Sequence, residues 1–440
     1  MNNYIKGLKT FFILWSTQAL SHLGSAMTNF ALVIWLYEKT GSAIQTALLS
    51  ICSYAPYVLM SIFAGALTDR WDKKKVMLTC DTMAAVCTVV VLILLKADLL
   101  MPWHMYMLNA INGLMNTVQQ PASDVAMTLV TPKEHYQKTS GMRSFSNSVV
   151  TILTPVFATM ILSFAGIDAV ICVDFITFLV AFLTLLLFVQ IPDMKEADEG
   201  AVDNKESLLK SVASGLHYLN ENRLILYLIL FLAGVNLVAS AFDAVLPAMI
   251  LSKENGGKMV LGVVNAFAGI ATLIGSIIVT FIPAPKNRVR VIYITMLISL
   301  STENFLLAFG HSPLIWCIGQ IIGWILVPLM SANLDVILRT TIPTNLQGRV
   351  FSCRNTLQFF TIPVGFLLGG ILVDSIFEPL MEREAEGSFL TALFGSGKGS
   401  GAAFVFFILG IAGTAICLFF WQILKNRQNE APEESLSELK

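Results

Sequence analysis

Long apolar runs recur along the whole of this 440-residue chain, and they limit its fold more than any other feature. Twelve runs hold about 20 residues or more with few charges, which is the length that a helix needs to cross the hydrocarbon of a bilayer. Hydrophobic residues make up 55% of the sequence and charged residues 13%, whereas a soluble domain carries about 25% charged residues. This apolar surface is too large to hide in a soluble core. The sequence therefore predicts an all-α integral membrane protein with twelve transmembrane helices.

The positive charges between these runs predict how the chain crosses the membrane. Twenty-two of the 28 lysine and arginine residues fall in connections that are cytoplasmic if the N-terminus is cytoplasmic. Because positive charge accumulates on the cytoplasmic side of membrane proteins, both termini are predicted to be cytoplasmic. The predicted spans are 11–37, 43–67, 76–96, 102–125, 144–166, 168–190, 223–250, 258–282, 289–310, 313–337, 355–377 and 402–424.

A repeat divides the chain into two similar halves. The segment DVAMTLVTPKEHYQKTSGMR runs from Asp124 to Arg143, and DVILRTTIPTNLQGRVFSCR runs from Asp335 to Arg354. Both begin with Asp-Val, carry a proline at the same position and end in arginine. Each begins at the inner end of the fourth span of its half. The pattern predicts a parallel 6+6 repeat of helices.

The repeat sets the predicted domain boundaries. Between the halves, Leu208, Val212, Leu216 and Leu219 recur at helical spacing, which predicts a short amphipathic helix on the inner membrane surface. A solvated tether with one or two helical turns is the alternative. The predicted parts are an N-terminal six-helix bundle at 1–190, a cytoplasmic linker at 191–222, a C-terminal six-helix bundle at 223–425 and a cytoplasmic tail at 426–440.

The sequence offers no pattern for a cofactor, a metal ion or a nucleic acid. The net charge is −1, and the seven cysteines lack metal-ligand spacing, so they are predicted to be free thiols. The segment FGSGKGSG lacks the first glycine and the Ser or Thr of a phosphate-binding loop, and it is predicted to be a flexible outer loop. The chain is therefore predicted not to be an enzyme.

The hairpin between the second and third spans carries a family motif. The stretch GALTDRWDKKKVM resembles the signature of the major facilitator superfamily, G-x-L-x-D-R-x-G-R-[KR]. Asp72 and Lys73 stand where that family has Gly and Arg. A looser similarity to its bacterial macrolide-efflux-type members runs through LYEKTGSA, QQPASD and NLQGRVFS. The matching residues of the motif are Gly65, Leu67, Asp69, Arg70 and Lys74.

This resemblance implies a secondary active transporter with the 6+6 pseudo-symmetric major facilitator fold, in a bacterial cytoplasmic membrane. It implies a monomer among membrane lipids that exports hydrophobic or amphipathic small molecules, such as macrolide-like drugs, by alternating access coupled to protons. Two alternatives stay open from the sequence. One is a transporter of lipids, lysolipids or peptide-like metabolites, and the other is a membrane sensor that keeps the fold without transporting.

The resemblance also implies a conformational role for the charged hairpin. In the superfamily such a turn locks the outward-facing state, and Asp69 would here pair locally or with Arg354. Gly65 lets a neighbouring helix approach closely. The alternative is that these charges only fix the topology. The predicted gating residues are Gly65, Asp69, Arg70, Lys73, Lys74, Asp124, Arg143, Asp335 and Arg354.

Ionisable side chains inside the predicted spans are the candidates for binding substrate or protons, because burying a charge in hydrocarbon is costly. An aspartate there can bind a cationic amine or carry a proton, and a histidine can titrate near neutral pH. Asn112 stands where many antiporters carry an arginine in the fourth helix. Each candidate has a structural alternative, a hydrogen bond between helices. The predicted sites are Asp243, His22, Glu303, Asp174 and Asn112.

Overall fold

The structure, a computed structural model, describes residues 2–131, 136–191, 208–385 and 387–430, without the side chains of 2–9, 61–70 and a few other positions. Every regular element in these ranges is a helix. The helices are α1 Asn2–Thr40, α2 Ala43–Arg70, α3 Lys73–Lys96, α4 Pro102–Val130, α5 Tyr136–Leu187, α6 Leu208–Glu221, α7 Arg223–Ser252, α8 Lys258–Phe281, α9 Arg288–Phe309, α10 Pro313–Ile325, α11 Val327–Thr341, α12 Thr344–Phe359, α13 Thr361–Ile371, α14 Glu378–Glu382, α15 Phe389–Phe394 and α16 Ser400–Glu430.

The predicted transmembrane spans all fall on these helices, which confirms the all-α membrane fold. In the described part of the chain, ten helices are long and apolar enough to cross a membrane. One of them, α5, holds two predicted spans, which meet at Gly166, where φ is 78° and the helix breaks. Glycine adopts this conformation without strain. The remaining span, α4, is more polar than the ten because amide side chains recur along it.

Short irregularities interrupt the helices of the second half. A single span was predicted over 313–337, whereas α10 gives way to α11 at Leu326, just before Pro328. Proline lacks the amide hydrogen that would continue the helix. Farther along, α13 continues directly into a π-helical turn, Leu372–Phe377, and then into α14. Turns of this type are frequent at functional sites.

The chain forms two compact units, of which the first comprises 1–35 and 52–208. Its core lies where α1, α3 and α5 meet α4, around the fully buried side chains of Phe11, Leu14, Met77 and Leu185. Helices α2 and α4 pack closely at Gly113, because this residue has no side chain. A side chain there would overlap the backbone of α2. These helices surround the cavity described below.

The second unit comprises 36–51 and 209–440. The hairpin between α1 and α2, which falls inside the predicted bundle 1–190, therefore makes its contacts with this unit. The Tyr37 hydroxyl lies 2.7 Å from Ser252 Oγ, and the Lys258 ammonium lies 2.9 Å from the Glu38 carboxylate. Within the unit, α13 packs closely on α7 because Gly365 has no side chain.

The predicted linker helix is present as α6, and it packs against the second unit. The Tyr218 hydroxyl donates a hydrogen bond to the Thr341 carbonyl oxygen at 2.9 Å. A side chain at Gly215 would overlap the backbone carbonyl of Arg349. Leu219 is fully buried in this contact. The preceding linker residues, 192–207, lie outside the described residues.

The glycine-rich segment FGSGKGSG was predicted to be a flexible loop, but the structure shows it packed. Phe394 is buried and stacks on Phe404 with 4.5 Å between the ring centroids. The Gly399 amide donates a hydrogen bond to Glu378 Oε1 at 2.5 Å. The N-terminal end of α16 thus binds an anion, as such termini commonly do, and the anion is a carboxylate of the chain itself.

Candidate functional site

A polar cavity of about 560 Å³ lies within the first unit, between α1, α3, α4 and α5. Three of the four helices carry acidic residues on their cavity-facing surfaces, and α1 carries a histidine. Such groups are rare in membrane spans and mark functional sites. The ionisable residues of its lining are His22, Asp81, Asp124, Arg143 and Asp174.

Asp174 lies on the second part of α5, and helix α1 holds it in place. The side chain is 4% exposed, and it accepts a hydrogen bond from Ser25 at 2.9 Å and a longer one from Thr88 at 3.5 Å. The close contact depends on Gly24, where a side chain would meet the backbone of Asp174. The predicted site residue is therefore both at the cavity and supplied with hydrogen bonds.

Asp81 on α3 is a cavity residue that the sequence analysis missed. It is 7% exposed, and its carboxylate accepts hydrogen bonds from the side chains of Gln119 on α4 and Gln18 on α1. The signal was present, since an aspartate eight residues after Lys73 lies about 12 Å into the span at 1.5 Å per residue.

Asp124 and Arg143, the first and last residues of the first repeat segment, form an ion pair between α4 and α5 at the cavity. Both side chains are part-exposed, so the pair lies at the cavity's edge rather than in the core. Because Asp124 Oδ1 accepts from the Arg143 guanidinium, the charges of these two groups compensate each other.

The second copy of the repeat is arranged differently. Arg354 on α12 donates through Nε to Gln358 Oε1 at 3.0 Å, and Asp335 on α11 is exposed. Among the described residues, no ion pair joins Asp335 to Arg354. The similarity of the two segments therefore does not extend to the ion pair that the first copy forms.

The charged hairpin between α2 and α3 holds helix ends together. Lys74 donates through Nζ to the carbonyl oxygens of Leu186 at 3.0 Å and Val189 at 2.7 Å, at the C-terminal end of α5. A cation there stabilises the helix terminus. Lys73 is buried and donates to the Trp71 carbonyl at 3.0 Å.

The residues that distinguish this hairpin from the family pattern also have local roles. Asp72, which replaces a glycine, is the N-cap of α3 and accepts a hydrogen bond from the Lys75 amide at 3.1 Å. An aspartate is among the strongest N-caps. The backbone of Gly65, Asp69 and Arg70 belongs to α2, but the side chains of Asp69 and Arg70 are outside the part that the structure describes.

The other two predicted acids belong to the second unit and do not line this cavity. Asp243 on α7 is exposed. Glu303 on α9 is 5% exposed, and its carboxylate occupies the space beside Gly323 of α10, where a side chain would overlap it. Glu303 Oε1 has no hydrogen-bond partner in the described part of the chain.

The remaining two candidates lie on the first unit. His22 on α1 is exposed to the cavity, which it lines together with Asp174. Asn112 on α4 lines a smaller neighbouring cavity of about 80 Å³, which also reaches Asp174. The structure thus places three of the five predicted substrate or proton sites at these two adjoining cavities: Asp174, His22 and Asn112.

The polar side chains that line the cavity can bind an organic ligand or a proton. The described residues contain no group of three or more side chains that could hold a metal ion. All seven cysteines are free thiols, as predicted. The polar groups available are hydroxyls, amides, a histidine and carboxylates, which can bind hydrogen-bond donors and positive charge.

Relatives by sequence include efflux proteins. The sequence profile of the Major Facilitator Superfamily matches residues 14–293. The chain is 24% identical over 379 residues to Macrolide efflux protein A of Streptococcus pyogenes, with 86% of this chain and 92% of that protein covered. It is 24% identical over 367 residues to the Multidrug efflux pump Tap of Mycolicibacterium fortuitum, with coverages of 80% and 86%.

Solved structures of transporters share the fold. The solved structure of the POT family transporter PepTSo has a TM-score of 0.70 and 12% sequence identity, with 96% of this chain and 99% of that chain covered. At this identity the likeness concerns the fold alone. Because the superfamily profile matches more than half of the sequence, this chain belongs to the major facilitator superfamily and is a membrane transporter, not an enzyme.

Proposed function

We propose that this transporter exports hydrophobic or amphipathic small molecules, macrolides among them, from a bacterial cell by alternating access in exchange for protons. The names of the two relatives, an efflux protein for macrolides and a multidrug efflux pump, support the direction. The observation that carries the proposal is the polar cavity of about 560 Å³ on predicted membrane spans. Its size suits a drug-sized ligand.

The predicted site residues receive roles in this proposal. Asp174 and His22 carry protons in the first unit, Asp243 and Glu303 carry them in the second, and Asn112 supplies a substrate hydrogen bond. An acid in a membrane span favours its neutral form until a partner or water stabilises the charge, which allows it to take up and release protons.

The gating residues receive a conformational role. Lys73 and Lys74 tie the α2–α3 hairpin to backbone carbonyls, and Asp124 pairs with Arg143. In this proposal these contacts change as the transporter switches, with Gly65, Asp69, Arg70, Asp335 and Arg354 as the other participants. The protein works as a monomer among lipids, with both termini in the cytoplasm.

Drug accumulation in an efflux-deficient bacterial host tests the function. Cells that express the wild-type protein should accumulate less macrolide than cells without it, and collapse of the pH gradient should abolish the difference. Asp174→Asn should raise accumulation toward the level without transporter. Asp168→Asn is the matched control, because Asp168 lies on the same helix but forms an exposed ion pair with Lys96.

Three outcomes would contradict the proposal. Uptake into inverted vesicles that does not respond to a pH gradient would exclude proton exchange. Flipping of a labelled lysolipid in vesicles, without any effect on drug accumulation, would favour a lipid transporter. A protein that binds compounds but moves none would be a sensor.

A further inference from the structure

The cavity of the first unit is lined mainly by polar side chains. Sixteen of its 25 lining residues are polar or charged, whereas pockets for drug-sized ligands are usually lined by apolar and aromatic side chains with a few polar groups. The acids of this lining already have partners, since Asp124 pairs with Arg143, and Asp81 and Asp174 accept hydrogen bonds from neighbouring side chains. The hydrogen-bonding capacity that is left for a ligand is therefore mostly on neutral groups.

Amide side chains supply much of this capacity. Four of them are exposed to the cavity and make no hydrogen bond with another described residue, although they belong to helices that span the membrane. Each amide offers two N–H donors and a carbonyl acceptor, which suits a hydroxyl group because a hydroxyl both donates and accepts. The four amides come from α1, α4 and α5, and they are Asn29, Asn116, Gln120 and Asn147.

Three of these amides lie close to the ion pair at the edge of the cavity. Asn116 and Gln120 are four residues apart on α4, so they share one face of the helix and lie about 6 Å apart along its axis. Gln120 lies one turn before Asp124, and Asn147 lies one turn after Arg143 on α5. Because Asp124 and Arg143 are paired, the amides next to them on the two helices reach the same part of the cavity.

Aromatic rings give the cavity an apolar surface beside these amides. The ring centroids of Phe175 and Phe178 on α5 are 6.1 Å apart, and the Trp15 indole is held in place because Nε1 donates to Ser146 Oγ at 3.2 Å. A sugar ring matches both surfaces, since its C–H groups pack on aromatic rings while its hydroxyls donate and accept hydrogen bonds. A ligand without hydroxyls would leave desolvated amides without partners, which costs free energy.

We propose that this cavity binds neutral glycosides, with the hydroxyls of the sugar on the amides and the apolar parts of the molecule on the aromatic side chains. This inference names a substrate class for the proposed export function and rests on it. It requires the protein to prefer an amphipathic molecule that carries a sugar to the same molecule without one. The preference must depend on Asn29, Asn116, Gln120 and Asn147.

Binding of two neutral probes to the purified full-length protein in lipid nanodiscs tests this. The glycoside is methylumbelliferyl β-D-glucoside, and the probe without a sugar is the methyl ether of methylumbelliferone, which keeps the same ring system. Equilibrium dialysis, with empty nanodiscs as the blank, gives the dissociation constants. The wild type should bind the glucoside at least about tenfold more tightly, because a site built to bind hydroxyls rejects an analogue that lacks them.

Replacing the amides by apolar residues of similar shape separates recognition from packing. Asn116→Leu and Gln120→Met should each weaken binding of the glucoside about fivefold or more, because each removes hydrogen bonds, and should leave the methyl ether unchanged. Asn147→Leu on α5 should do the same, and it tests the inference if a variant of α4 does not fold. Gln190→Ala, which removes an exposed amide of the same unit outside the cavity, should match the wild type for both probes.

The outcomes separate this inference from the proposed function. Equal weakening of both probes in the amide variants would show a structural role and overturn the inference. Unchanged glucoside binding in all three variants would overturn it as well. If the wild-type protein lowers drug accumulation but does not prefer the glucoside, the inference fails alone. If it prefers the glucoside but lowers no drug's accumulation, the proposed export fails and the glycoside site stands.

Discussion

At the scale of single residues, glycines decide where buried acids fit. The carboxylate of Glu303 is buried between α9 and α10, in space that a side chain at Gly323 would take. The helices are also tied at this point, since Ser299 Oγ donates to the Gly323 carbonyl at 2.6 Å. The glycine on α10 therefore leaves the space that the acid on α9 fills.

This contact predicts that Gly323→Ala destabilises the protein. Overpacking of a tight site typically costs about 1–3 kcal/mol, so the melting temperature of the purified protein should fall by a few degrees. Glu303→Ala in the same chain should recover part of the loss, because it removes the group that the new methyl meets. If the double variant is less stable than Gly323→Ala by the full cost of Glu303→Ala alone, the two sites do not share this space.

The cavity shows at the same scale what a sequence can and cannot predict. Asp174 was recognised as a candidate because an acid inside an apolar span stands out. The sequence could not show that hydroxyls from α1 and α3 already bind it, because those contacts join residues more than 80 positions apart. For the same reason it could not show that Gln119 of α4 binds Asp81.

At the scale of elements, one acid within the π-helical turn and one just after it each stabilise the start of another helix. Asp374 accepts hydrogen bonds from Ser42 Oγ at 2.6 Å and from the amides of Ala43 and Ile44 at 2.9 and 2.8 Å. Glu378, four residues later, accepts from the Gly399 amide just before α16. Carboxylates at helix N-termini satisfy amides that have no partner within the helix.

The contact at α2 predicts that Asp374→Ala loosens the hairpin between α1 and α2. Loss of a helix cap costs about 0.5–2 kcal/mol, so hydrogen exchange in a peptide covering 36–51 should become about tenfold faster. A peptide from α8 should exchange as before. Glu382→Ala is the control, since Glu382 lies on α14 but is exposed. Unchanged exchange in 36–51 would mean that other contacts, such as Tyr37 with Ser252, hold the hairpin alone.

Helix positions were predictable for a simple reason, whereas these caps were not. A span must cover the hydrocarbon, so length and hydropathy locate it within a few residues. A π-helical turn needs no special composition, and LVDSIF in 372–377 reads as ordinary apolar helix. The cap by Asp374 joins positions over 300 residues apart, which no local pattern encodes.

At the scale of the whole molecule, the charge pattern predicts the orientation of the chain in the membrane. Twenty-two of 28 positive side chains would face the cytoplasm. Helix α3 alone separates the basic hairpin before it from the short turn after it. These two connections must therefore face opposite sides of the membrane, and each offers an exposed residue, Trp71 and Leu99.

Labelling these two positions tests the orientation in a variant from which all seven cysteines have been removed. A membrane-impermeant maleimide should label Leu99→Cys on intact cells and Trp71→Cys only in inverted vesicles, because the hairpin with Lys73, Lys74 and Lys75 is predicted to be cytoplasmic. The cysteine-free parent should stay unlabelled; native Cys172 must be absent because it is exposed. Labelling of Trp71→Cys on intact cells would reverse the topology, and labelling of both positions from one side would mean that α3 does not span the membrane.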